Sequence, residues 1–119
     1  MKIYVAYSSN GDYLNELYKA ITNSFLNNKY SFYFPHINTD EQFESKSFFE
    51  KDCDLVIADV SSSSIGTGIE LGWANIFGVP IICMYKKGSK VSGSLKVVCD
   101  KFIEYSNIEE MINGIDKLI

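Results

Sequence analysis

The residues best equipped for chemistry sit together in Asp59-Val60-Ser61-Ser62-Ser63-Ser64-Ile65-Gly66-Thr67-Gly68-Ile69-Glu70-Leu71-Gly72. An apolar strand leads into this segment and a helical stretch leaves it. A hydroxyl- and glycine-rich bend between strand and helix aims free backbone N–H groups at an anion. Gly66 and Gly68 let the backbone approach closely, and the serine hydroxyls add donors. Glu70 follows in what the pattern makes the first turn of the helix. A carboxylate there can attack an anomeric carbon or stabilise an oxocarbenium-like transition state. Each feature also has a structural counterpart. Thr67-x-x-Glu70 has the spacing of a capping box, and periodicity alone leans towards that reading. Ser61–Ser64 reads equally well as a solvated turn.

Other chemistries fit this segment poorly. The dinucleotide fingerprint G-x-G-x-x-G fails because Leu71 stands at its third glycine. No acidic residue follows Glu70 until Asp100, so a ribose-binding carboxylate at the usual distance is lacking. There is no Walker A sequence. Cys53, Cys83 and Cys99 are far apart, without a C-x-x-C, and His36 is the sole histidine, so a metal site is not expected. No cofactor is called for. Tyr4 and Tyr7 alternate on the first strand, where core packing is the simpler role for each. Asn10-Gly11 and His36 read as turn and loop residues. Trp73 and Phe77 read as core, and Lys86, Lys87 and Lys90 as a solvated basic loop.

These groups need elements to hold them. Apolar runs predict strands over 2–7, 30–34, 54–60, 80–85 and 101–105. Residues 54–60 form a continuous apolar run of the kind found in parallel sheets. Leu14, Leu17, Tyr18, Ile21 and Phe25 recur with helical spacing, and Asn27-Asn28-Lys29 ends that helix. A short helix is expected from about Glu44 to Asp52, a longer one through Phe77 with Gly78 as its stop, and a short one over 95–99. Asn107 caps the last helix, with Glu110 three residues on. Strict alternation of strand and helix makes an α/β, doubly wound, Rossmann-like domain with a five-stranded parallel sheet flanked by helices. Ligands on such sheets bind beyond the carboxyl ends of the strands, where strand order reverses. The bends at 8–12 and 61–68 belong there.

The whole chain of 119 residues is expected to be one domain. Eleven basic residues, all Lys, against fifteen acidic ones give a net charge of −4. That balance disfavours nucleic acid as a partner, while leaving room for one phosphate on a small ligand. No apolar stretch is long enough for a membrane span or a signal-peptide core. Three scattered cysteines suit a reducing, cytoplasmic setting.

The Asp54-Leu55-Val56-Ile57-Ala58-Asp59-Val60 strand with the Ser64-x-Gly66-x-Gly68-x-Glu70-Leu71-Gly72 turn resembles the signature of the nucleoside 2-deoxyribosyltransferase superfamily. Tyr4-Val5-Ala6-Tyr7-Ser8-Ser9-Asn10-Gly11 and Gly78-Val79-Pro80 are similar too, and residues 30–51 match weakly. The resemblance implies that Glu70 is the nucleophile at C1′ of a nucleoside sugar, with Tyr4 orienting it. Transferases in the family usually carry Asp six residues before that glutamate. The nucleoside 5′-monophosphate N-glycosidases carry Ser, which contacts the phosphate, and Ser64 stands there. A serine hydroxyl can donate to a phosphate that an Asp would repel. The same resemblance adds Ser8, Asn10, Gly11, Gly66 and Gly68 to the binding site. It also brings Ser92 or Ser94 to the phosphate from a neighbouring subunit, which implies a homodimer. Two positions depart from the family: Asn10 replaces a usual Arg, and a gapless count puts Lys46 where an Asp usually serves the leaving base, with Glu44 out of register.

The expected function is hydrolysis of the N-glycosidic bond of a (deoxy)nucleoside 5′-monophosphate. Its rivals are base exchange between deoxynucleosides, non-catalytic nucleotide binding, and an NAD-type glycohydrolase.

Overall fold

A computed structural model of the protein describes residues 1–7, 13–35 and 45–119. Ser8, Asn10, Gly11, His36 and Glu44 lie outside the described residues. The strands are β1 (Lys2–Ala6), β2 (Ser31–Tyr33), β3 (Leu55–Asp59), β4 (Ile81–Lys86) and β5 (Lys101–Tyr105). The helices are α1 (Tyr13–Thr22), α2 (Leu26–Lys29), α3 (Ser45–Lys51), α4 (Ile65–Ile76) and α5 (Ile108–Leu118). A 3₁₀ turn over Gly93–Val97 precedes β5.

All five strands are parallel, in the order β2-β1-β3-β4-β5. The chain adds β2 on one side of β1, then crosses back to place β3 on the other. Strand order therefore reverses between β1 and β3, and their carboxyl ends form the switch point. Every residue of β3 is buried, as a central strand covered on both faces requires. Alternation along β1 divides the core. Ile3, Val5 and Tyr7 face the layer containing Leu17 and Ile21 of α1 and Met111, Ile112 and Ile115 of α5. Tyr4 and Ala6 face Phe49 of α3 and Leu71 and Ala74 of α4.

The strands match their sequence-based limits within a residue or two. The first helix does not. The apolar stripe predicts one helix through Phe25, but it breaks after Thr22. The Thr22 hydroxyl donates to Tyr18 O at 2.7 Å and the Ser24 hydroxyl to Ile21 O at 2.7 Å. Ser24 Oγ then accepts from Leu26 N at 3.2 Å, starting α2. Hydroxyl side chains competing for backbone partners favour such a break. The short helix expected over 95–99 lies two residues earlier, because Ser92 Oγ accepts from Ser94 N at 3.3 Å and starts the turn there.

Helix α4 ends as Gly78 predicts. Gly78 has φ of 72°, its N–H donates to Asn75 O, and Val79 N–H donates to Ala74 O, a Schellman closure. Asn107 Oδ1 accepts from Glu110 N at 2.9 Å and caps α5. No helix among the described residues is long and apolar enough to cross a membrane.

Candidate active site

Helix α4 begins where the chain leaves the buried end of β3. Ser64 is its N-cap, in an extended conformation, and its Oγ accepts from Thr67 N at 3.3 Å. This corrects the capping box expected at Thr67-x-x-Glu70. Thr67 is three residues inside the helix, and Glu70 lies in the second turn rather than the first. The start moves upstream because Ser64 follows directly on a bend that β3 and β4 hold in place.

That bend has its own buried anchor. Asp59, 3% exposed, accepts from Ser61 N at 3.0 Å and from the Tyr105 hydroxyl at 2.6 Å. Lys86 N donates to Ser61 Oγ at 2.9 Å, tying the bend to β4. Burial raises the Asp59 carboxyl above its ordinary value, against the lowering effect of the Ser61 hydrogen bonds and the Lys86 charge. Ser61 is thus committed to structure, whereas Ser62 and Ser63 are exposed. A Cβ at Gly68 would meet nothing within 4 Å, and one at Gly66 would meet Ser64 Oγ at 3.9 Å. Packing among the described residues therefore does not require glycine at either position.

Glu70 does not turn back on its own helix start. Its Oε2 accepts a hydrogen bond from the Tyr4 hydroxyl, across 66 residues of sequence. Tyr4 is 1% exposed, its ring edge-on to Phe49 at 4.9 Å and 6.1 Å from Phe48. Burial pushes its phenol far up, and the charge and hydrogen bond of Glu70 add to the rise; the hydrogen bond with Ser45 works the other way. Tyr4 therefore stays protonated at all ordinary pH and acts as a fixed donor to the carboxylate. Tyr4 is a core residue and a polar clamp together, because its ring fills the α3–α4 layer while its hydroxyl reaches the layer's rim.

Ser92 and Ser94 come close to the bend within the same chain. With Ser62, Ser63, Ser64 and Lys90 they supply the polar rim of a cavity of about 380 Å³, floored by Val60, Leu71 and Leu95. Gly68 and Glu70 point about 200° apart around α4, at about 100° per residue. The cavity, which includes Gly68, thus opens on the β4 side of the helix, while Glu70 meets Tyr4 on the β1 side. Lys46 is exposed in the first turn of α3. Trp73 and Phe77 pack partly buried against the α3–α4 layer.

Three residues escape a reading of sequence spacing. Asp59 and Tyr105 form the anchor of the bend, and Ser45 bonds Tyr4. Asp59 left one signal, a carboxylate closing an otherwise apolar strand. Ser45 and Tyr105 left none, since their partners are distant in sequence.

No protein-family profile matches the chain. The chain is 31% identical over 67 residues to "Putative 2'-deoxynucleoside 5'-phosphate N-hydrolase 1" of Syntrophotalea carbinolica, a match covering 51% of this chain and 45% of that protein. The chain thus spans about half the length of that curated relative in the alignment. The fold is similar to that of the Clostridium botulinum CMP N-glycosidase BcmB, with a TM-score of 0.70 and 20% identity over 100% of both chains. It is also similar to a 2-deoxyribosyltransferase from Bacillus psychrosaccharolyticus, with a TM-score of 0.61 and 16% identity over 95% of this chain and 91% of that one. At such identities the two structures speak for the fold alone. With its serine bend, its glutamate on the following helix and this sheet order, the chain is similar to members of the nucleoside 2-deoxyribosyltransferase superfamily.

Proposed function

We propose that the protein hydrolyses the N-glycosidic bond of a (deoxy)nucleoside 5′-monophosphate, giving free base and (deoxy)ribose 5-phosphate. The observation that carries this reading is the Tyr4–Glu70 hydrogen bond at the switch point, on the helix that Ser64 begins. A neutral phenol donating to Oε2 orients the carboxylate for attack on C1′. As the bond between C1′ and a Glu70 carboxylate oxygen forms, the C1′–N bond breaks and its electron pair leaves with the base. Water then attacks C1′, breaks the ester to Glu70 and releases the sugar phosphate; the proton that water gives up balances the one the departing base takes on at its nitrogen. The 5′-phosphate is held by the hydroxyl of Ser64 and backbone N–H groups at Gly66 and Gly68, and the resemblance adds Ser8, Asn10 and Gly11 to the binding residues. The α4 N-terminus favours this charge. Ser92 or Ser94 of a neighbouring subunit joins the phosphate site, so the active species is a homodimer, which sedimentation in solution tests directly.

Nucleoside 5′-monophosphates are incubated with the intact protein and with Glu70→Ala, and the products are separated by chromatography. Free base appears with the intact protein and falls at least a thousandfold with the variant. An intact protein that frees no base from any nucleotide refutes the enzymatic reading. A second reading, nucleotide binding without cleavage, is favoured by Lys46, a cation where the family usually has a proton-handling Asp. It predicts thermal stabilisation by nucleotides with no turnover. Addition of a free acceptor base separates hydrolysis from base exchange, because exchange yields a new nucleoside.

A further inference from the structure

Beside the Tyr4–Glu70 pair lies a polar group that this reaction scheme leaves unused. Tyr7 follows Ala6 at the carboxyl end of β1, and its ring packs in the α1–α5 layer. The residue is 6% exposed, yet its buried hydroxyl makes no hydrogen bond among the described residues. Burial pushes the phenol up to about 12, and the Glu70 charge adds to the rise. Tyr7 in turn raises Tyr4. Tyr7 stands one residue past the end of β1, the strand that carries Tyr4, and so lies at the switch point to which Glu70 is bonded. At neutral pH the Tyr7 hydroxyl is an intact donor.

An unpaired hydroxyl in a core is a cost that phenylalanine avoids at almost the same volume. The chain uses Phe at 8 other positions. A buried donor without a partner, placed beside a candidate nucleophile, is accounted for when a ligand supplies the acceptor. We propose that the Tyr7 hydroxyl donates a hydrogen bond to an acceptor on the nucleoside portion of the nucleotide held in front of Glu70, making Tyr7 a substrate-contacting residue beside Tyr4. The inference rests on the reading of Glu70 as facing a nucleotide sugar. It involves no proton transfer: Tyr7 holds and orients the nucleoside while Glu70 does the chemistry.

Tyr7→Phe tests this, because it removes the oxygen and keeps the ring. Three quantities are compared with the unaltered protein: the melting temperature, the calorimetric Kd for nucleoside 5′-monophosphates and for inorganic phosphate, and kcat/KM for base release. The melting temperature stays equal or rises, since an unpaired buried hydroxyl is gone. Nucleotide affinity and kcat/KM fall about tenfold, the worth of one buried hydrogen bond. Affinity for inorganic phosphate does not change. Nucleotide affinity equal to that of the unaltered protein overturns the inference, with water as the hydroxyl's partner. A melting temperature that falls together with binding marks a structural role and overturns it too. If the intact protein binds nucleotides without cleaving them, the hydrolase reading fails alone, and the Kd comparison still decides the role of Tyr7. If it binds none, both fail.

Discussion

Glu70 draws its chemical character from a tyrosine that it meets only in the folded chain. The Tyr4 hydroxyl donates to one carboxylate oxygen from a position almost closed to water. Tyr4→Phe keeps the aromatic contacts with Phe48 and Phe49 and deletes that donor. The loss costs about 1–2 kcal/mol, because half-buried Glu70 regains part of its bonding from water. A denaturant melt reads the cost, and base release slows at least tenfold as the carboxylate loses its orientation. Asp59 gives a prediction of the opposite electrostatic kind. Its folded-state value is raised, chiefly by burial, so folding favours the protonated form. Its contribution to stability is fully present below the usual carboxylate value. It declines as pH rises through the window up to the raised folded value. In Asp59→Asn this fall disappears, which urea titrations at a series of pH values between 4 and 8 detect. Neither pairing could be read from spacing. Tyr4 sits in an apolar alternation that any core tyrosine would satisfy, and Asp59 looks like the polar end of a strand.

At the scale of elements, the start of α4 combines a structural role and a proposed binding role in one residue. Ser64 caps the helix through Oγ, and its hydroxyl proton is the donor assigned to a phosphate. Two substitutions separate the roles. Ser64→Ala removes the cap and costs about 1 kcal/mol in a thermal or urea melt. Ser64→Asp keeps a good cap, so stability holds, but the added charge repels a phosphate. Its affinity for nucleoside 5′-monophosphates falls at least tenfold, while affinity for the unphosphorylated nucleoside holds; equal losses for both ligands would remove Ser64 from the phosphate site. Periodicity misplaced the cap because Ser64 and Thr67 are both eligible, and the intervening glycines blur where helix begins. What settles it is the bend upstream, fastened by Asp59 and Lys86. The break between α1 and α2 was hidden for a similar reason. The apolar stripe runs through Phe25, yet the hydroxyls of Thr22 and Ser24 take backbone carbonyls of the preceding turn. Where the local code was unambiguous, it was legible: Asn107 with Glu110, and Gly78 at the end of α4.

For the molecule as a whole, the candidate site joins β1, β3 and α4, so the proposed ligand would bridge them. A nucleotide that binds only the folded state at one hundred times its Kd adds about 2.7 kcal/mol. For a domain of this size that raises the melting temperature on the order of 10 °C. Nucleoside 5′-monophosphates give the rise, and the matching nucleosides at equal concentration give less. A scan with no rise for any nucleotide contradicts both the hydrolase and the binding readings.

Sequence by itself determined the alternation of strands and helices, the parallel sheet and the resemblance carried by residues 54–72. These depend on hydrophobic periodicity and turn chemistry, which act over a few residues. Tertiary structure decided that β3 lies beside β1, and so brought Tyr4 to Glu70 and Tyr7 to both. It also turned Ser92, Ser94 and Lys90 towards the serine bend. Local pattern is silent on such pairings, because they follow from which side of the sheet each crossover takes and from which buried faces must be covered together.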